Sequence, residues 1–252
     1  MQRVLITAGG SGIGRAMGEA FAAAGAKVWV VDSDPAVLES CPAGWRRDCL
    51  DVTDESAVED LFARLGAEWK GLEVLCANAG IAGPTALLEE QPPDGFRRCL
   101  SVNVEGAFLF ARGAAPFMKA ARAGAIIYTS STAGLYGYPG RAAYAAAKWA
   151  INGLMKTTAM ELGPYGIRAN AICPGAVEGP RMEAVLQREA AAKNTTRDAI
   201  YRGYAAGTSM GSFVEAADIA SMAVFLASDA ARLVSGQIIA VDGHTENPVP
   251  RI

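Results

Sequence analysis

The stretch from Ser130 to Lys148, SSTAGLYGYPGRAAYAAAK, holds three groups able to handle a proton together. Ser131 lies thirteen residues before Tyr144, and Lys148 follows four residues after it. The alanines around Tyr144 predict a helix, on which a spacing of four puts both side chains on one face, a turn apart. An ammonium beside a phenol favours the phenolate and lowers a pKa that starts near ~10. A phenol tuned in this way takes the proton of an alcohol at neutral pH. Ser131 follows the apolar run Ala125-Ile126-Ile127-Tyr128, a predicted buried strand, so its hydroxyl is placed to bond the same substrate oxygen. Taken alone, the pair reads equally as a surface tyrosine beside a solvated lysine. The elements around it must decide.

Residues 3–7, RVLIT, form a short apolar run, followed by Ala8-Gly9-Gly10-Ser11-Gly12-Ile13-Gly14 and an amphipathic pattern to Ala24. Gly25 predicts a helix stop, and the β-branched run Lys27 to Val31 ends at Asp32. This is strand, glycine turn, helix, strand. Glycines let the backbone approach a pyrophosphate, and a helix N-terminus offers N–H groups and the positive end of a dipole. The usual Gly-x-Gly-x-x-Gly is absent. Thr7-Ala8-x-x-x-Gly12-x-Gly14 stands instead, which reads as a nucleotide loop or as a plain tight turn. Asp32 falls eighteen residues after Gly14. A carboxylate there can accept hydrogen bonds from an adenosine ribose diol and would repel a 2′-phosphate. No Lys or Arg sits inside the loop, and Ser33 follows Asp32. NAD is therefore expected over NADP, unless Asp32 is merely a turn residue.

The pattern continues with a third strand within residues 44–50, then Asp51-Val52, and Thr53 or Asp54 as cap of a helix to about Trp69. Leu72 to Ala77 is a fourth strand closed by Asn78-Ala79-Gly80. Pro92-Pro93 opens a long helical pattern in which Asn103 stands between valines, where burial is expected. A buried amide needs partners. Either Asn103 is a core amide bonded to backbone, or it bends the helix and holds a water near Lys148. A strand from Ile167 to Cys173 precedes Pro174-Gly175. Residues 176–212 are less apolar, with helical pieces, and are long enough to be a substrate-binding loop or lid. Helix Val214–Ala227 and strand Gln237–Val241 end the pattern. Such alternation predicts an α/β fold, a doubly wound parallel sheet with helices on both faces, as one domain over residues 1–252.

Composition narrows the function classes. The net charge is −3 and no basic block occurs, which disfavours nucleic acid as a partner. No run of eighteen apolar residues predicts a membrane span, and the N-terminus carries no signal-peptide pattern. Five scattered cysteines without a Cys-x-x-Cys suit a reducing, cytoplasmic setting. The single histidine, His244, cannot build a histidine metal site or a Ser-His-Asp triad unaided, and no metal is expected. Arg181 and Arg188 lie in the stretch that would cover the substrate. An arginine there clamps a carboxylate, sulfonate or phosphate bidentately, or pairs with Glu183 or Glu189. The first reading makes Arg181 a selector of small anionic hydroxy substrates.

In chain order, the Gly12/Gly14 loop, Asp51-Val52, Asn78-Ala79-Gly80, Asn103, Ser131, Tyr144-x-x-x-Lys148 and Pro174-Gly175 resemble the short-chain dehydrogenase/reductase family, single-domain type, over roughly residues 2–243. The resemblance implies a Rossmann fold and hydride transfer between NAD(H) and a secondary alcohol or ketone. It implies Tyr144 as general acid/base, Lys148 as its tuner and holder of the nicotinamide ribose, Ser131 as support of the substrate oxygen, and Asn103 as part of a water-linked relay to Lys148. Implied cofactor contacts are Gly9, Ser11, Gly12, Ile13, Gly14 and Asp32, Asp51 and Val52 at adenine, Asn78, Ala79 and Gly80 along the ribose, and Pro174, Gly175 and Val177 towards the nicotinamide. A homotetramer, or a homodimer, built on the helices carrying Asn103 and Tyr144 is implied as well. Two positions depart from the family pattern: Ala8 stands where glycine is usual, and Gly179 where threonine is common. Two rival readings remain. One is a non-catalytic dinucleotide-binding or assembly protein of the same fold. The other is a sugar-nucleotide epimerase or dehydratase, whose usual C-terminal substrate domain this chain has no room for.

Overall fold

The computed structural model describes residues 1–247, without the side chains of Arg181 and Ala192. Seven strands form one parallel sheet in the order β3-β2-β1-β4-β5-β6-β7. They are β1 (Arg3–Thr7), β2 (Lys27–Asp32), β3 (Arg46–Cys49), β4 (Val74–Ala77), β5 (Gly124–Thr129), β6 (Ile167–Pro174) and β7 (Ile238–Val241). The inner strands are apolar without alternation because helices cover both faces. Val4, Leu5 and Ile6 of β1 and Val74, Leu75 and Cys76 of β4 have no exposed surface.

One face packs against α3 (Glu55–Trp69), α5 (Gly106–Ala121) and α6 (Ala142–Leu162), through Leu61, Leu65, Phe110, Met118, Ile151 and Met155. The other packs against α1 (Gly12–Ala23), α2 (Pro35–Glu39) and, near the C-terminal end of the chain, α9 (Ala216–Ala227), through Met17, Phe21, Leu38, Ile219 and Leu226. α4 (Pro93–Leu100) runs into α5 through a wider π turn at Ser101–Glu105. Between β6 and α9, α7 (Pro180–Ala192) and α8 (Arg197–Ala205) close a small core of their own, Leu186, Ala190, Ile200, Ala205 and Phe213.

The expected elements are present with ends shifted by a few residues. Asp54 rather than Thr53 caps α3, its Oδ1 accepting from Ala57 N at 3.0 Å. Glu215 and Asp218 form a reciprocal cap on α9, so this helix starts at Ala216 and not at Val214.

β2 and β4 pair with opposite edges of β1, so the strand order reverses there. In open α/β sheets a crevice opens beyond the strand ends at such a switch. Because the sheet is parallel, Thr7, Asp32, Ala77, Thr129 and Pro174 end on this one side.

Candidate active site

β5 delivers the chain to Ser130 and Ser131 at the crevice, and α6 returns Tyr144 and Lys148 over the same strand end. Lys148 is buried, and its Nζ donates to the Thr129 carbonyl at 2.8 Å. The same Nζ lies 5.6 Å from the centroid of the half-buried Tyr144 ring. The turn spacing read from the sequence thus brings cation and phenol together. The two serines divide their tasks. Ser130 is buried and its Oγ donates to the Lys148 carbonyl at 3.0 Å, pinning strand to helix. Ser131 Oγ accepts from Ala133 N at 3.1 Å, which leaves its own proton for another acceptor.

Asn103 is buried in the π turn, and its Nδ2 donates to the carbonyls of Ile81 at 3.0 Å and Cys99 at 2.8 Å. Its Oδ1 is shielded and has no donor among the described residues. A Cβ on Gly80 would come 2.5 Å from that oxygen and 3.3 Å from Lys148 Nζ. Gly80 is thus what lets Asn103 and Lys148 close on one another. The Asn103 amide nitrogen is bonded to backbone, and the residue sits within the π turn that leads into α5.

The glycine loop makes a cradle. A Cβ on Gly14 would sit 2.0 Å from the Ala8 carbonyl oxygen, so α1 can start against the loop only with glycine there. Gly12 has φ +51° with open space where a side chain would be. Ser11 precedes α1 without capping it, and the first turn holds no acidic residue. Those backbone N–H groups therefore face the crevice without a side-chain partner, which suits a pyrophosphate. Asp32 closes the cradle, its Oδ2 accepting from Gly10 N at 3.1 Å and its Oδ1 from Asp34 N at 3.2 Å. These residues fit a dinucleotide.

Ala8 occupies the left-handed region at φ +50°. A Cβ is costly there, by about 1 kcal/mol. Ala8→Gly is accordingly expected to raise stability by about that amount, read as a higher urea midpoint; a lower midpoint would show that the methyl group packs usefully. Gly179 lies at φ +140°, a region that strains other residues. The threonine common in the family could not be restored at that position without moving the backbone.

The remaining predicted positions are distributed around the crevice. Asn78 braces three strands: its backbone N–H donates to Thr7 Oγ1 at 2.9 Å, its Nδ2 donates to Thr7 O at 3.2 Å, and its Oδ1 accepts from Thr129 Oγ1 at 3.0 Å. Ala79 N also donates to Thr7 Oγ1. Asp51 is held by Thr53 and by Arg98, the latter at 2.8 Å, and Val52 is buried beside Gly106. Ile13 packs into the α1 face, Pro174 and Gly175 end β6, and Val177 bridges to Val214. Arg181 begins α7, but its side chain lies outside the described part of the structure. Arg188 pairs with neither glutamate; its Nε donates to the Ala184 carbonyl, while Glu183 binds Arg197 and Glu189 binds Lys193.

Other tyrosines near the site are disposed to stay neutral. Burial pushes Tyr128 up to about 12, and burial likewise raises Tyr138 and Tyr204. Sequence reasoning passed over one residue, Arg141, whose Cζ lies 5.1 Å from the Tyr144 ring centroid. Its position three residues before Tyr144 was the available signal. Among the described residues no cluster of His, Cys, Asp and Glu could hold a metal ion, and no helix is long and apolar enough to cross a membrane.

Sheet order, glycine cradle and the Ser131, Tyr144, Lys148 arrangement together define a Rossmann-type oxidoreductase. Residues 7–244 match the family described as Enoyl-(Acyl carrier protein) reductase. The trans-4-hydroxycyclohexanecarboxylate dehydrogenase of Sinomonas cyclohexanicum is 38% identical, over 95% of this chain and 90% of its own length. The levodione reductase of Leifsonia aquatica is 34% identical, over 95% and 92%. The crystal structure of an NAD+-bound xylitol dehydrogenase superposes with a TM-score of 0.92 at 28% identity, covering 96% of this chain and 98% of that one. The chain belongs to the short-chain dehydrogenase/reductase family. It is an oxidoreductase of alcohol and ketone groups that uses a nicotinamide dinucleotide.

Proposed function

We propose that the protein oxidises a secondary alcohol, or reduces the matching ketone, with NAD(H) and with Tyr144 as general acid/base. The observation that carries this reading is the placement of the Tyr144 ring beside buried Lys148, whose Nζ is anchored on the Thr129 carbonyl at the end of β5, two residues before Ser131. A phenolate formed at Tyr144 is stabilised by the lysine cation and accepts the carbinol proton. Ser131 donates its hydroxyl proton to the substrate oxygen and orients it. Asn103 offers its unpartnered Oδ1 to a donor from outside the chain, beside Lys148. When bound, the nicotinamide supplies or accepts the hydride.

The α1 N-terminus with Gly9, Ser11, Gly12, Ile13 and Gly14 holds the pyrophosphate, and Asp32 holds the adenosine ribose. Asp51 and Val52 border the adenine, Asn78 to Gly80 the ribose region, and Pro174, Gly175 and Val177 the nicotinamide. α7 and α8 form the lid over the substrate, and Arg181 belongs to the first turn of α7. The comparison with an NAD+-bound xylitol dehydrogenase supports NAD, as does the Asp32 carboxylate where a 2′-phosphate would lie. The test is a panel of alcohols and ketones with each cofactor, read at the absorbance of the reduced form. NADH binding without turnover of any member would favour the non-catalytic reading.

A homotetramer or homodimer is part of the same reading, in a reducing cytoplasmic setting that suits five cysteines forming no disulfide. The outer sides of α5 and α6 expose Phe108 and Trp149, 47% and 54% accessible, next to a shallow groove lined by Val104, Ala150 and Leu154. Apolar faces of this kind are covered in oligomers. Light scattering is expected to give two or four times the 26.2 kDa of one chain. Phe108→Glu with Trp149→Glu should shift the mass to that of a monomer. A wild-type mass of one chain would remove this part of the proposal.

A further inference from the structure

Arg141 is the second cation at the Tyr144 ring, and the two cations are engaged differently. Lys148 is fixed by the Thr129 carbonyl. Arg141 reaches one acceptor only at the limit of bonding, with Nη2 3.5 Å from the Ala82 carbonyl. Its Nε is shielded from solvent and has no acceptor among the described residues. Among the described residues no carboxylate forms an ion pair with it. The acids on neighbouring elements are occupied: Glu189 with the Tyr204 hydroxyl and Lys193, Asp242 with the backbone N–H groups of His244 and Thr245. A half-buried guanidinium with open donors costs free energy in isolation. Its planar fork matches a carboxylate, which accepts two parallel hydrogen bonds.

We propose that Arg141 is the carboxylate-binding residue of the substrate site, so that the protein acts on hydroxy acids and their keto forms in preference to neutral alcohols. This rests on the reading of Tyr144 as the proton-transfer residue. One ring then separates the group that handles the carbinol from the group that holds the acid, which fixes a substrate bearing both functions.

The experiment compares trans-4-hydroxycyclohexanecarboxylate with cyclohexanol, in wild type and in Arg141→Gln and Arg141→Lys. The ratio of kcat/KM for acid over alcohol should fall about 100-fold in Arg141→Gln, mainly through KM for the acid, and Arg141→Lys should recover part of it. Equal losses on both compounds would overturn the proposal, since a purely structural or ring-directed role predicts that. Calorimetric titration of cyclohexanecarboxylate into NAD-saturated protein gives a second readout. Weaker binding in Arg141→Gln by a similar factor supports the proposal; unchanged affinity, or no binding to wild type, overturns it. NADH binding by each variant verifies its fold. The underlying reading fails separately, if Tyr144→Phe turns over either compound at the wild-type rate, and the titration still judges Arg141 in that case.

Discussion

Tyr144→Phe is expected to lower kcat by about 10²- to 10⁴-fold, the range that a positioned acid/base contributes. The substitution removes one oxygen and keeps the ring. Packing of the ring against Arg141 and Lys148, at 5.1 and 5.6 Å, is retained. The Lys148 bond to Thr129 does not involve the phenol and should survive. NADH should therefore bind within a few-fold of wild type, followed by its fluorescence, while the hydride step stalls for lack of a proton acceptor. The neighbouring tyrosines offer no replacement, because burial holds Tyr138 and Tyr204 above the ordinary range. Turnover at the wild-type rate would show that another group takes the proton.

Cofactor choice should show the next largest effect. Asp32 is fixed at the tip of β2 by two backbone N–H groups, so its charge cannot swing away from a bound adenosine ribose. A 2′-phosphate would meet that carboxylate, and like charges in contact cost several kcal/mol. We expect kcat/KM with NAD to exceed that with NADP by at least about 100-fold. Asp32→Asn keeps an acceptor for Gly10 N and removes the charge, and should narrow the preference to within about 10-fold. Arg15, the nearest basic residue in the chain after the loop, is paired with Glu19 at 2.6 Å and so is not free to receive the phosphate. Equal use of both cofactors by wild type would show that Asp32 does not govern the choice.

Much of the site was legible because its signals are local. A spacing of four on a helix, a carboxylate closing a strand and a glycine run before an amphipathic pattern each depend on backbone geometry over a few residues. Tyr144 and Lys148, Asp32 and the α1 loop stand where those signals put them. The choice of Ser131 over Ser130 came from the family spacing alone. What distinguishes Ser130 in the structure, its bond to the Lys148 carbonyl, required strand and helix to be in contact. Arg141 was hidden because nothing along the chain tells whether an arginine has acceptors. The extent of the lid core was hidden for a related reason, since Leu186 and Phe213 meet only after α7 and α8 fold back on each other.

The sequence by itself determined the class of fold and the chemical groups available, since periodicity and residue type are properties of neighbours along the chain. The tertiary structure decided which groups work together. Gly80 has to be glycine because Asn103 and Lys148 converge on it from different helices. Ala8 adopts a left-handed backbone because α1 must start within reach of its carbonyl. Strand order sets such approaches between remote residues, and that order is fixed by how two cores close on one sheet.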